Sequence, residues 1–322
     1  MTENKPAKRT ARSLIYATIL FLVVFLTFHF GTDFLSEASR ALTTFIAAIL
    51  LTILAFFVIY GFSDLRLHRT SYMLMGAAFL LLTYYAATPM VARSNIISKN
   101  ADIPIKTLQL SAATAGFPPE SASSLRDIAG QAVAPGIEHL QTNLPEKVWQ
   151  ILLLALAQLG LACGIGLWIG EGIDEASHLI PVAIVATVAD IWSVSAGATA
   201  QIVVSSAINY FLLRFPVPGS GAIPYLIGLT DFLFFAIFYQ AARRFELGAR
   251  KNAIILGCSF VPAIGGALFF QTGLPVLPFM AVFFVAGNFS KLKLKKEDVK
   301  IIAAFILVIL TIFSLITVAL NR

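Results

Sequence analysis

Apolar runs of about twenty residues recur along this chain, and no other feature restricts its fold so tightly. They fall at roughly 13–30, 41–62, 72–92, 148–170, 180–200, 224–242, 252–270, 274–289 and 299–319. A hydrocarbon core ~30 Å thick takes ~20 helical residues to cross, and within it each span must bond its own backbone groups. The pattern therefore predicts an all-α fold: a polytopic transmembrane helix bundle of about nine spans. Of the 322 residues, 58% are hydrophobic and only 12% charged. A soluble chain of this length would suggest about two domains, but that prior does not extend to helices packed in lipid.

The polar stretches between the runs divide the chain. Residues 1–92 hold a basic tail (Lys5, Lys8, Arg9, Arg12) and three helices. Residues 93–147 form a polar insert, with one short amphipathic helix expected near Ala122–Val133. Residues 148–289 form a core, and 290–322 a basic loop and a last helix. The first run is longer than a signal-peptide core and lacks a small-residue cleavage site, so a retained helix is expected. The net charge of +6 does not indicate nucleic acid, because the basic residues cluster at span ends facing the lipid bilayer. Counting Lys and Arg in short loops, above all Arg243, Arg244, Arg250, Lys251 and Lys291 to Lys300, puts the N-terminus in the cytoplasm and the C-terminus outside. On that count the insert is extracytoplasmic. Cys163 and Cys258 both lie in apolar runs, with no disulfide or metal spacing.

Within the core, the fourth run crowds Gly160, Gly164, Gly166 and Gly170 into its second half, a spacing that allows close helix approach. An acidic turn with Glu171, Asp174, Glu175 and His178 follows and reads as a solvated loop. Residues 201–223 are apolar but interrupted, and end in Pro216-Val217-Pro218-Gly219, so a semi-extended connection is expected. Pro224 suits the first turn of the sixth helix.

Two acids stand out. Asp190 is alone in the fifth run and Asp231 in the sixth. A carboxylate at such depth must face protein or water, since lipid makes its charge costly. Asp190 falls ~15 Å along its helix from one membrane face, and Asp231 ~10 Å from the opposite face. In a ~30 Å core those depths differ by only ~5 Å, so antiparallel neighbours can bring the carboxyls together. Two acids that close share one proton, which suits hydrolysis: one takes a proton from water while the other donates to the carbonyl oxygen. Spacing and depth alone leave three readings open: proteolysis, a proton relay in a transporter, and a structural pair. A transporter should show related repeats in its two halves, and none is visible.

The residues around the acids carry a resemblance. Gly228-Leu229-Thr230-Asp231 resembles the GxGD motif of the presenilin and signal peptide peptidase family of intramembrane aspartyl proteases. Ala189-Asp190-Ile191-Trp192 is similar to the family's other aspartate motif, and Leu274-Pro275-Val276-Leu277-Pro278 to its Pro-Ala-Leu motif. The connection Asn209–Pro216 also resembles a segment of signal peptide peptidases. The likeness covers about 180–289, and Ala189, Thr230 and Val276 depart from the usual Tyr, Gly and Ala. It implies a presenilin-like core in which Asp190 and Asp231 are catalytic. Gly228, Leu229, Thr230, Pro275, Val276, Leu277 and Pro278 would then line the substrate. It also implies that the partners are transmembrane-helix substrates and that no metal or organic cofactor takes part.

Overall fold

The computed structural model describes residues 5–30, 37–114, 147–195, 208–216, 225–270 and 274–292, with single positions at 300, 307 and 311. In chain order the elements are α1 (Lys5–Phe30), α2 (Glu37–Asp64), α3 (Arg69–Thr114), α4 (Val148–Glu171), a 3-10 turn (Ala176–His178), α5 (Leu179–Ser195), α6 (Ile208–Phe211), β1 (Leu212–Arg214), β2 (Tyr225–Gly228), α7 (Leu229–Arg244), α8 (Ala249–Cys258), α9 (Phe260–Phe270) and α10 (Leu277–Asn288). Among the described residues, five helices are long and apolar enough to cross a membrane: Ala11–Phe30, Leu42–Asp64, Arg69–Ala92, Val148–Glu171 and Ala176–Ser193. The chain is thus mostly helical, as an all-α membrane protein requires.

α4 is the hub, and its glycines explain why. Gly160 and Gly164 face α3, where a Cβ on Gly160 would meet the Phe79 ring and one on Gly164 would meet the backbone of Gly76. Gly166 and Gly170 face α7: a Cβ on Gly166 would lie 2.6 Å from Ala236 Cβ, and one on Gly170 2.8 Å from Gln240 Cβ. Six residues along a helix turn it about 240°, so the two pairs open two different faces. Close backbone approach supplies the dispersion contact that lipid does not otherwise favour between helices. Beside this seam Phe56 of α2 stacks on Phe235 of α7, with centroids 3.9 Å apart and planes at 8°. Phe260 of α9 meets the same ring edge-on at 4.8 Å.

The contacts fix relative helix directions. α3 pairs Gly76 with Gly164 and Phe79 with Gly160, so it runs against α4. α7 rises in step with α4, from Gly166 beside Leu233 to Gly170 beside Gln240, so those two are parallel. Leu14 near the start of α1 touches Gly61 near the end of α2, making that pair antiparallel. One end of the bundle therefore gathers the start of α1, the ends of α2, α4 and α7, and the start of α3. A polar clasp closes that end. Ser63 Oγ donates to Gln240 Oε1 at 2.5 Å, Gln240 Nε2 to Glu171 Oε2 at 2.6 Å, and Arg243 to Ser63 Oγ at 2.6 Å, while Arg243 pairs with Asp64 at 3.5 Å.

Several expectations change. α1 begins at Lys5, so the basic tail is already helical there. α3 does not stop at residue 92 but continues through Pro104 to Thr114. Pro224 does not open the sixth helix: Tyr225–Gly228 is a strand, and α7 starts at Leu229. The run at 252–270 is broken at Ser259, where Pro262 has no N–H to give the Cys258 carbonyl. Glu171 is engaged by Gln240 and is not simply solvated. Among the described residues, five of the nine expected spans form single helices of full length. The Ala122–Val133 helix, the lysine loop at 293–299, most of the last run and parts of 201–223 lie outside the described residues.

Candidate active site

The site grows from two helix N-termini. α7 opens at Gly228, whose backbone is extended (φ −68°, ψ 142°), and Asp231 occupies the third helical position. There its Oδ2 accepts the Gly228 N–H at 3.1 Å, which is the return half of a capping box. The first turn of a helix favours negative charge, so the sequence places Asp231 where backbone dipoles meet it. A Cβ on Gly228 would come within 3.1 Å of Asp231 Oδ2 and 3.3 Å of Thr230 Oγ1. Glycine is required there by that close approach and not by an unusual dihedral.

Asp190 does the same for a different helix. α10 begins after Val276, whose side chain offers no cap, with a proline in its first turn. Leu277 N–H donates to Asp190 Oδ2 at 2.9 Å. An acid on α5 thus meets an orphan donor that opens α10. α5 and α7, which carry the two acids, pack against each other. Asp231 is buried, at 6% exposure. Each is oriented by a backbone N–H on Oδ2, and a carboxyl held by one oxygen can keep the other for water.

β1 and β2 stand beside the acids. They pair antiparallel with Leu212 opposite Gly228, Leu213 opposite Ile227 and Arg214 opposite Tyr225, and the register shifts between Leu213 and Arg214. The strand pair therefore ends at the residue that binds Asp231.

The structure joins Asp231 to Gly228 and Asp190 to Leu277 by direct bonds, on helices α5 and α7 that pack together. Thr230 is exposed, and Leu229 is half-buried against the core. Pro275 and Pro278 are half-buried and flank Val276 and the Leu277 donor. The proline segment was expected against the acids and the substrate, and its described bond to Asp190 is made by the main-chain N–H of Leu277, which no residue type announces. It also passed over Gln158, a buried amide in α4 whose Nε2 bonds the chain at 209–212. An amide in the middle of an apolar run, eight residues beyond Gln150 near its start, was the available signal. No group of three or more His, Cys, Asp and Glu that could hold a metal ion occurs among the described residues.

No family model matches the chain, and comparison with curated proteins and with solved structures finds no match either.

Proposed function

We propose that this chain is an intramembrane aspartyl protease that hydrolyses peptide bonds within transmembrane helices. The observation that carries the reading is the pairing itself. Asp190 and Asp231 come from separate apolar segments whose helices pack together, and each accepts a backbone N–H. In the reaction, one carboxylate takes a proton from water as the water oxygen bonds to the substrate carbonyl carbon. The protonated partner gives its proton to the carbonyl oxygen. Collapse of the tetrahedral adduct breaks the C–N bond, and the leaving nitrogen takes the proton first drawn from water. No metal is needed for these transfers.

A substrate helix hides its amides in hydrogen bonds and must be unwound before attack. The β1–β2 pair supports this, since a two-stranded sheet has an edge to which an extended peptide can add. The resemblance around 180–289 supports the same reading and supplies the family: a presenilin-like or signal-peptide-peptidase-like enzyme, multi-pass, with its N-terminus in the cytoplasm.

The capping bonds favour a second reading, in which both acids are structural and the chain binds membrane helices without cutting them. Incubating the purified protein with a panel of transmembrane peptides, beside the Asp231→Ala variant, separates the two. Products from the parent and none from the variant support the protease. Intact peptides from both leave the binding reading.

A further inference from the structure

Gln158 is the eleventh residue of α4, about 15 Å along it and near mid-depth of a ~30 Å core. It is buried, at 1% exposure. An amide at that depth is costly unless its hydrogens are bonded. The two hydrogens of Nε2 are shared among three main-chain carbonyls: Asn209 O at 3.1 Å, Tyr210 O at 3.3 Å and Leu212 O at 3.4 Å. These belong to the place where α6 gives way to β1. A helix that ends leaves its last carbonyls without partners, and hydrocarbon offers no water to meet them. One side chain from the neighbouring helix meets all three.

The grip reaches the acids in short steps. Leu212 opposes Gly228 across the strand pair, and Gly228 N–H holds Asp231. β2 runs straight into α7 and is tied to Asp231 by the chain, so what the grip of α4 on β1 sets is the position of β1 against β2 and the carboxyls. Strand residues are spaced ~3.3 Å apart, so a slip of β1 carries any peptide added to its free edge past the acids in such steps.

We propose that Gln158 is a positioning residue that fixes the register of β1 and β2 and so selects which bond of an unwound transmembrane substrate is cut. The proposal rests on the protease reading above. A change in the amount of folded enzyme alters total yield, whereas a change in register alters the proportions of products cut at neighbouring bonds.

The test is mass spectrometry of the products from one transmembrane peptide, using the parent, Gln158→Leu, Gln158→Asn and Asp231→Asn in lipid. Gln158→Leu, which removes the donor, should shift the ratio of neighbouring products by about fivefold or more. Gln158→Asn keeps the donor on a shorter stem and should shift it less. Unchanged proportions in Gln158→Leu, even with reduced yield, would overturn the proposal. If the Leu variant does not fold, unchanged proportions in Gln158→Asn do so instead. A peptide left intact by both the parent and Asp231→Asn sinks the protease reading and this proposal with it, by a different pattern.

Discussion

At the scale of single residues, each acid has two separable parts: an oxygen that accepts a backbone N–H and a proton that can move. Asparagine keeps the first and removes the second. Asp190→Asn and Asp231→Asn should each lower cleavage at least about a hundredfold while leaving the Leu277 and Gly228 bonds in place. Thermal unfolding of both should stay near the parent. The alanine variants lose the acceptor as well and should be less stable by about 1 kcal/mol, the usual worth of a helix cap. An asparagine variant that still cuts at near-parental rate rules out the shared-proton mechanism. Gly228→Ala probes the geometry from the other side. Its Cβ would crowd Asp231 Oδ2 at 3.1 Å, and displacing a reacting group by a fraction of an ångström should cost about tenfold in rate. Thr230 is exposed, and its Oγ1 is the second atom such a Cβ would meet. Thr230→Gly should therefore retain activity, and a large loss would give the hydroxyl a direct part.

At the scale of elements, α4 should tolerate least. Its two glycine faces allow no Cβ without moving α3 or α7, so Gly164→Leu and Gly166→Leu should each cost about 1–3 kcal/mol and reduce the folded fraction. Gel filtration in detergent and resistance to proteolysis would measure it; parental behaviour of both would mean the helices can move apart freely. The sequence made this element readable, because composition, length and glycine spacing all point to one buried helix. Asp190 and Asp231 were readable for a related reason: a charge in an apolar run has few explanations. The strand pair was harder to see. Tyr225-Leu226-Ile227-Gly228 is as apolar as the helix it precedes, and periodicity does not separate a short buried strand from a helical turn. What decides is pairing with Leu212–Arg214, a contact between segments remote from the acid motif in sequence. The break at Ser259 was visible in Pro262, yet a proline within an apolar run marks either a kink or a stop, and tertiary packing chooses.

At the scale of the whole molecule, the helix directions give the basic residues a common side. Arg12 and Arg69 near the starts of α1 and α3, and Arg243 and Arg244 at the end of α7, lie at the end closed by the polar clasp. Lys251 bonds the Gly287 carbonyl and Lys291 the Glu246 carbonyl, which brings the end of α10 to the same side. Asp64 there pairs with Arg243 and Glu171 with Gln240, while the turn between α4 and α5 adds the exposed Asp174 and Glu175, but orientation follows Lys and Arg and acids weigh little in it. By the positive-inside rule this end should be cytoplasmic, so α5 would carry Asp190 from cytoplasm to outside and α7 would carry Asp231 back. A peptide is directional, and an active site of fixed hand accepts an extended strand in one sense. The expected preference is for single-span substrates whose N-terminus is cytoplasmic, such as remnant signal peptides. Cysteines introduced singly at the exposed positions Arg250 and Lys147, with Cys163 and Cys258 replaced, would report the orientation in intact cells. Arg250→Cys should react only with a membrane-permeant reagent and Lys147→Cys with an impermeant one. The reverse pattern would invert the topology and the substrate preference together, while leaving the chemistry of the two acids as argued.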